Sequence, residues 1–508
     1  MEEFPAVHET PTFAETLVGA LERYPERPCF VFEGRRQTYA EVLESISRLI
    51  QLFGEMGLER GDGLAQLSRN RPEAACVQLA CWASGLRYIP LHPEGSASDH
   101  RFILSDAGVD AFIYDGEDFG EAARSLFAGQ AVSRPEAQAI ARKFQPRPVR
   151  CETSPSDVAM IIYTGGTTGV PKGVTLTSEA MLLNVLLTLS GWEWPEEIRF
   201  LCTTPITHAT GCMMVPILAR GGTMVLQGRF DAGYYLDAIE EHRITCTFAV
   251  PTMIYRMLDA QKAHARDTSS LETVIYGAAP ISPARLQEAI ATFGPVFSQI
   301  YSQAEAPCCA TVLRKSEHEF GRLTSCGRPM AGITVEVLDE RHERTPPGEL
   351  GEICFRGPSI MSGYWNRPKE TAETFRGGWL HTGDIAYRDE EGFLHIVDRH
   401  KEMIITGGFN VFPREVEDVI SAHPAVAQVA VIGVPDERWG EAVKALVVLR
   451  AGMQASAEEL VALVRERKGP VATPKSVEFR DSLALTALGK LDKKAMRAPY
   501  WAGRERQV

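Results

Sequence analysis

Residues 163–174 read YTGGTTGVPKGV, with four glycines and three threonines in twelve positions and one lysine, Lys172. Glycine has no Cβ, so a loop built on Gly165, Gly166 and Gly169 turns tightly and aims its N–H groups at one point, as a phosphate requires. Thr164, Thr167 and Thr168 add hydroxyl donors, and Lys172 adds a cation. Walker A is excluded, because that loop needs Lys and Ser or Thr directly after its last glycine, and here Val170-Pro171 intervene. The plain alternative is a glycine-rich surface spacer. The flanks argue against it. Val158 to Tyr163 is an apolar run of strand length, and Val174-Thr175-Leu176 is placed to pair back as a hairpin. Beyond Ser178, read as a helix N-cap, Leu182, Val185, Leu186 and Leu189 recur at helical spacing. Strands on both sides would hold the loop rigid.

Working outward, CFVFEGRRQTYA (29–40), GLRYIPLHP (85–93) and HRFILSDAGVDAFIYD (100–115) alternate strand-like and helical stretches, the mark of a mainly parallel α/β layer. A second cycle covers about residues 158–300, with strands expected at RFLCTTP, GTMVLQ, ITCTFAVP and LETVIYGAAP. Shorter alternating segments, TVEVLD, GELGEICFRG and GFLHIVDR, predict a smaller β-rich part between about 321 and 397. Past HKEMIITGGFN the pattern changes. Pro413 opens a helix whose Val416, Val419 and Ile420 share a face, strands follow at QVAVIGV and KALVVLR, and Ser456-x-x-Glu459 is a capping box. This reads as a compact α/β domain of about a hundred residues. There are no internal repeats and no low-complexity tracts.

At 508 residues the chain is too long for one core. Its 53 Lys and Arg against 66 Asp and Glu give a net charge of −13, which disfavours nucleic acid and anionic membrane as partners. The 11 cysteines form no CxxC pairs and recur at no metal-ligand spacing, so reduced, buried thiols are expected. MEEFPAVHET lacks the apolar core of a secretory signal, and no stretch approaches a membrane span. The expectation is a soluble, cytoplasmic protein without an integral membrane segment.

Four further stretches carry chemistry. SQIYSQAEAP sets Tyr301, whose ring can stack on a base, near Glu305, a natural Mg²⁺ ligand beside polyphosphate. WLHTGDIAY places Asp384 where a carboxylate could accept two ribose hydroxyls, although Asp also favours turns for its own backbone bonds. THATG holds His208, which taken alone reads as a satisfied buried histidine. ALGKLDKK puts Lys490 near the end of the chain, where a solvated basic tail is the ordinary explanation. Singly each is weak; their order is specific.

In that order the chain resembles the adenylate-forming superfamily of acyl-CoA synthetases, adenylation domains and firefly luciferase, over nearly its full length. The opening stretch is similar to its phosphate-loop signature, and IYGAAP, YSQAE, WLHTGDIAY, VDRHKEMIITGGFNVFPREVE and TALGK match later signatures in sequence. The resemblance implies a large N-terminal domain of α/β layers with a β-rich subdomain (1–399) and a small mobile C-terminal α/β domain (400–508). The site would lie between them. It implies that Thr164, Gly165, Gly166, Thr167, Thr168 and Lys172 meet the ATP phosphates, that Gly277, Ala278, Ala279 and Tyr301 form the adenine slot, and that Ser302 is among the cofactor-binding residues. Glu305 would bind Mg²⁺, Asp384 and Arg399 ribose, and His208 would sit beside the acyl carboxylate. Lys401 would be the hinge, Lys490 would reach in from the C-terminal domain, and Gly407 and Gly408 would border a pantetheine tunnel.

The activity implied is ATP-dependent ligation of a non-amino carboxylic acid to coenzyme A, through an acyl-adenylate. A carrier-protein phosphopantetheine as acceptor, a non-catalytic nucleotide-binding relative and a homodimeric assembly stay open. An amino-acid substrate is disfavoured, because HATGCMMVP supplies no acid to pair with an α-amine. The same apolar stretch suits an uncharged acyl body, and Cys212, Met213, Met214, Val250 and Tyr276 are read as lying near the pocket. Two departures stand out. Ser302 and Ala304 replace the Gly and Thr usual in YSQAE, removing one hydroxyl from the α-phosphate, and Ala484-Leu485 replace a commoner Pro-Arg.

Overall fold

A computed structural model describes residues 11–164, 170–486 and 490–502, except the side chains of Phe320 and His400. The expectations for Gly165, Gly166, Thr167 and Thr168 therefore lie outside the described residues. Both flanks of their loop fold as read. Val158–Thr164 and Lys172–Thr177 are antiparallel strands in a register that sets Thr164 opposite Lys172, so a hydroxyl and a cation stand side by side where the loop leaves the sheet. The helix that follows is Ser178–Gly191, capped one residue earlier than expected. Thr177, still extended from the strand, accepts Ala180 N–H on Oγ1 at 3.2 Å, and Ser178 is already helical.

Three sheets build the N-terminal domain. In the first, the hairpin continues into the parallel strands Arg87–Leu91, Gly63–Leu67, Ala111–Tyr114 and Gln130–Ser133. The second has nine strands, among them Cys246–Ala249, Thr273–Gly277 and Phe297–Gln303 running parallel side by side. Helices cover both faces, so Thr273–Gly277 is buried at every position, and a continuous apolar run replaces alternation. The third is the expected β-rich part, an antiparallel sheet of Thr334–Leu338, Gly351–Arg356, Leu380–Arg388 and Leu394–Arg399.

The C-terminal domain has its own sheet around the long hairpin Val426–Asp436 and Gly440–Leu449, flanked by Ile404–Thr406 and, in parallel, by Ser476–Phe479. Val429 and Val431 enter one core and Ala430 and Ile432 another, so this sheet too is covered on both faces. Pro413–Ser421 begins at its proline, and the box at Ser456 closes with Glu459 N–H on Ser456 Oγ at 3.1 Å and Ser456 N–H on Glu459 Oε2 at 2.7 Å. Polar contacts join the small domain to the large one. Arg414 donates from Nη1 to Ile396 O at 2.9 Å and from its N–H to Asp398 Oδ2 at 3.1 Å, and Ser421 Oγ lies 2.9 Å from Ser282 Oγ. Polar joints of this sort are compatible with relative domain motion.

All eleven cysteines are unpaired and only Cys151 is not fully buried. Among the described residues no helix is long and apolar enough to cross a membrane.

Candidate active site

Register makes the first half of the site. Leu380–Arg388 pairs with Leu394–Arg399 so that Asp384 faces Arg399, whose Nε donates to Asp384 Oδ1 at 3.0 Å. Tyr301 OH and Gln303 Nε2 donate to Asp384 Oδ2 at 2.6 and 2.8 Å. The turn itself is made by other side chains: Asp384 N–H goes to Thr382 Oγ1 at 3.1 Å and Gly383 N–H to Glu352 Oε1 at 2.7 Å. Asp384 is therefore free of the turn-forming role that Asp often plays, and its carboxylate points at donors. A carboxylate has about four lone-pair sites; described residues fill three. Gln303 escaped the sequence reading, although it lies two residues after Tyr301 on one strand and so on the same face.

Strand Phe297–Gln303 runs beside Thr273–Gly277 at very close range. A Cβ on Gly277 would fall 2.2 Å from Ile300 O, so glycine is required there. The next residue, Ala278, has φ +65°, a left-handed conformation that costs a non-glycine residue roughly 1–2 kcal/mol. This sharp turn leaves Ala278 exposed and Ala279 half-buried, a ledge of small residues at the end of the strand. Ser302 donates its hydroxyl to Ala306 O. Ala304 sits in the tight turn before Ala306–Leu313 and packs against the core.

Glu305, in that same turn, accepts Tyr364 OH on Oε1 at 2.8 Å. Lys172 Nζ stands 5.1 Å from the centre of the Tyr364 ring. Tyr364 thus links the cation at the end of the glycine loop to the carboxylate expected to hold a metal. Nothing local announces it, since its strand Gly363–Tyr364 joins the sheet by pairing with Val174 and Thr175, far back in the chain.

His208 precedes helix Ala209–Ala219 and shares a hydrogen bond with Thr207 Oγ1 through Nδ1, at 2.9 Å. Burial pushes it down to about 3, helped by His92 and Lys490, so it is neutral at pH 7. Lys490 belongs to the other domain. Beside it Leu485 and Leu491 form an antiparallel bridge, and Thr486 N–H donates to Lys490 O at 2.7 Å. Burial lowers its ammonium to about 8, with Arg399 adding to the shift and Asp384 opposing it. The charges of Asp384, Arg399 and Lys490 and the ring of His208 thus interact across the join between the domains. Helix Ala209–Ala219 carries no charged side chain, and Thr210 to Leu218 are buried. Met213, Met214 and Tyr276, expected near the acyl pocket, are fully buried, with Tyr276 OH on Gln299 Oε1 and His318 Nε2, both at 3.0 Å.

Lys401 lies in a short 3₁₀ turn, His400–Glu402, between the last strand of the large domain and the first of the small one. Gly407 and Gly408 are exposed at the tip of a hairpin with Ile405 and Phe409. In this orientation that hairpin faces solvent, with Gly407 N–H on Trp439 O at 2.8 Å. The structure brings Lys490 to Asp384 and leaves the glycine pair outside.

Comparison with known proteins agrees along the chain. The AMP-binding enzyme family matches residues 18–365, and the AMP-binding enzyme C-terminal domain matches residues 415–490. The medium/long-chain-fatty-acid–CoA ligase FadD8 of Mycobacterium tuberculosis is 47% identical over 97% of this chain and 90% of its own. A feruloyl-CoA synthase of Amycolatopsis is 37% identical over 92% of this chain and 94% of its own. Among solved structures, the amide bond synthetase McbA from Marinactinospora thermotolerans superposes with a TM-score of 0.89 at 32% identity, covering 96% of this chain and all of that one. The o-succinylbenzoate CoA synthetase of Bacillus subtilis, in complex with its acyl-adenylate, gives a TM-score of 0.83 at 28% identity, covering 95% and 97%.

Proposed function

The chain belongs to the AMP-binding enzyme family and is an ATP-dependent acid–CoA ligase, and from this premise we propose that its acid is a fatty acid of medium to long chain. The observation that carries this is the 47% identity to a ligase named for such acids. The buried, uncharged helix after His208 supports it, since it offers an acyl body neither an acid nor a cation.

A carboxylate is a poor electrophile at carbon, so its oxygen must first become part of a good leaving group. In the proposed mechanism the carboxylate attacks the α-phosphorus of ATP and expels pyrophosphate. Lys490 and Lys172 offset the charge that gathers on the phosphates. Asp384, with its one unfilled lone-pair site and its Arg399 partner, takes the ribose, and Tyr301 and the Gly277-Ala278-Ala279 ledge take the adenine. His208, neutral, binds the acyl carboxylate by hydrogen bonding rather than by charge.

Glu305 fits a magnesium ion. One carboxylate oxygen is committed to Tyr364, the other takes no hydrogen bond from a described residue, and Mg²⁺ in nucleotide sites needs few protein ligands. When bound, the ion would neutralise phosphate charge as a Lewis acid.

In the second half-reaction the thiolate attacks the acyl-adenylate carbonyl and AMP departs. For this the small domain must turn, bringing the Gly407-Gly408 hairpin inward and Lys490 out. The exposed indole of Trp439, with Arg438 4.7 Å and Lys475 5.8 Å from it, suits a nucleotide base and its phosphates, and is proposed to hold the outer end of coenzyme A. Lys401→Pro, which locks φ at the pivot, is expected to spare pyrophosphate release while slowing thioester formation severalfold or more. Single-turnover measurement of each step checks it, and equal slowing of both would remove Lys401 from the hinge role.

The substrate reading is tested by a pyrophosphate-release panel with hexanoic to octadecanoic acids, ferulic and other aryl acids, and amino acids, with and without coenzyme A. Release should peak with fatty acids between decanoic and hexadecanoic, and thioester should form only with coenzyme A. A tenfold preference for an aryl acid would replace the fatty acid with that class.

A further inference from the structure

The loop after strand Arg87–Leu91 converges on one residue. Gly95 N–H and His100 Nε2 both meet the carbonyl oxygen of His92, at 2.9 Å each, and Glu94 N–H donates to His92 Nδ1 at 3.0 Å. Glycine is needed for so tight a closure: a Cβ on Gly95 would stand 2.5 Å from His100 Nε2. Arg69 pins the loop from outside, 2.7 Å from Glu94.

This fixes the chemistry of the His92 ring. Burial pushes it down to about 4, so it is neutral at pH 7. Nδ1 is an acceptor, so the single ring proton sits on Nε2. That nitrogen is buried and meets no hydrogen-bond acceptor among the described residues. An orphan donor of this kind ordinarily costs about 1–3 kcal/mol, and a π face is the weak acceptor that can relieve it. The ring against His92 is His208, with centroids 4.8 Å apart and planes at 71°, an edge-to-face pair.

We propose that His92 is a positioning residue for the adenylation step: its N–H edge rests on the face of His208 and holds that ring, with Nδ1 at Thr207, in the orientation that receives the acyl carboxylate. An imidazolium would repel an N–H edge, so the contact also favours neutral His208. Among the described residues, the charged and titratable groups that act on His208 are His92 from this loop and Lys490 from the C-terminal domain. The proposal rests on the reading that His208 binds the carboxylate, and its test separates the two.

His92→Asn keeps an oxygen able to accept Glu94 N–H but removes the ring edge, so the loop should hold. Its KM for the best acid of the panel should rise about three- to tenfold, the scale of one edge-to-face contact, with KM for ATP unchanged. His92→Gln, which returns an N–H at similar reach, should recover part of the loss and serves if the asparagine variant does not fold. The double variant with His208→Ala should be no worse than His208→Ala alone, because a residue that acts only through another adds nothing once that other is gone. Multiplying losses in the double variant, or a KM for ATP that rises in step with that for the acid, would overturn the positioning role. A His208→Ala enzyme with unchanged KM for the acid would instead overturn the reading of His208 beneath it.

Discussion

Lys490→Ala is expected to cut pyrophosphate release by about 10²-fold or more, the usual scale for losing one transition-state charge contact. The same variant should convert supplied acyl-adenylate and coenzyme A to thioester at a near-normal rate. The expectation rests on position. Lys490 sits where Arg399 and Asp384 both shift its pKa, while the glycine hairpin of the same domain faces solvent, so one orientation cannot serve both half-reactions. Its pH dependence has a definite sign. The ammonium is the competent form, and burial and Arg399 have lowered its pKa to about 8. The charge is therefore present below about pH 7 and lost as pH rises through 8. kcat/KM for ATP, which reports the free enzyme, should fall on that limb, and Lys490→Arg, which stays charged, should flatten it. If Lys490→Ala slows both half-reactions equally, the rotating-domain account is wrong for this chain.

Asp384→Ala should raise KM for ATP by about 10²-fold, because it removes the acceptor proposed for a ribose hydroxyl and strands three donors, Tyr301 OH, Gln303 Nε2 and Arg399 Nε. Donors left without an acceptor cost roughly 1–3 kcal/mol each when buried, and less here for the half-exposed Arg399. A fall in melting temperature should accompany the kinetic loss. The two effects are separable: saturating ATP should raise the melting temperature of the wild type but barely that of the variant, since ligand stabilisation tracks affinity. A variant that melts early yet keeps its KM for ATP would make Asp384 a structural residue of the third sheet.

Legibility followed the range of the signal. The hairpin around the glycine loop, the proline-started helix at Pro413 and the capping box at Ser456 are local patterns, and all three were readable. The cap of Ser178–Gly191 was misplaced by one residue because two adjacent hydroxyl residues can each play the part, and which does so depends on where the strand ends. Burial of Met213, Met214 and Tyr276 was legible as apolarity, but apolarity alone does not distinguish a core side chain from one lining a cavity.

The sequence by itself determined the layered α/β architecture, the order of the motifs and the identity of the charged groups, Lys172, Glu305, Asp384, Arg399 and Lys490, because periodicity and turn chemistry act over a few residues. Only the tertiary structure decided what each of them meets. Tyr301 and Asp384 are 83 positions apart, and Glu305 and Tyr364 are 59 apart. His92 follows a strand of the first sheet and His208 lies beyond a strand of the second. Such pairs depend on which strand edges join and in what register, and that choice is made by the burial of whole faces, which no short window contains. The orientation that turns Lys490 toward Asp384 is a further step removed. It is set by polar contacts such as Arg414 to Ile396 and Ser421 to Ser282, whose partners lie on different domains.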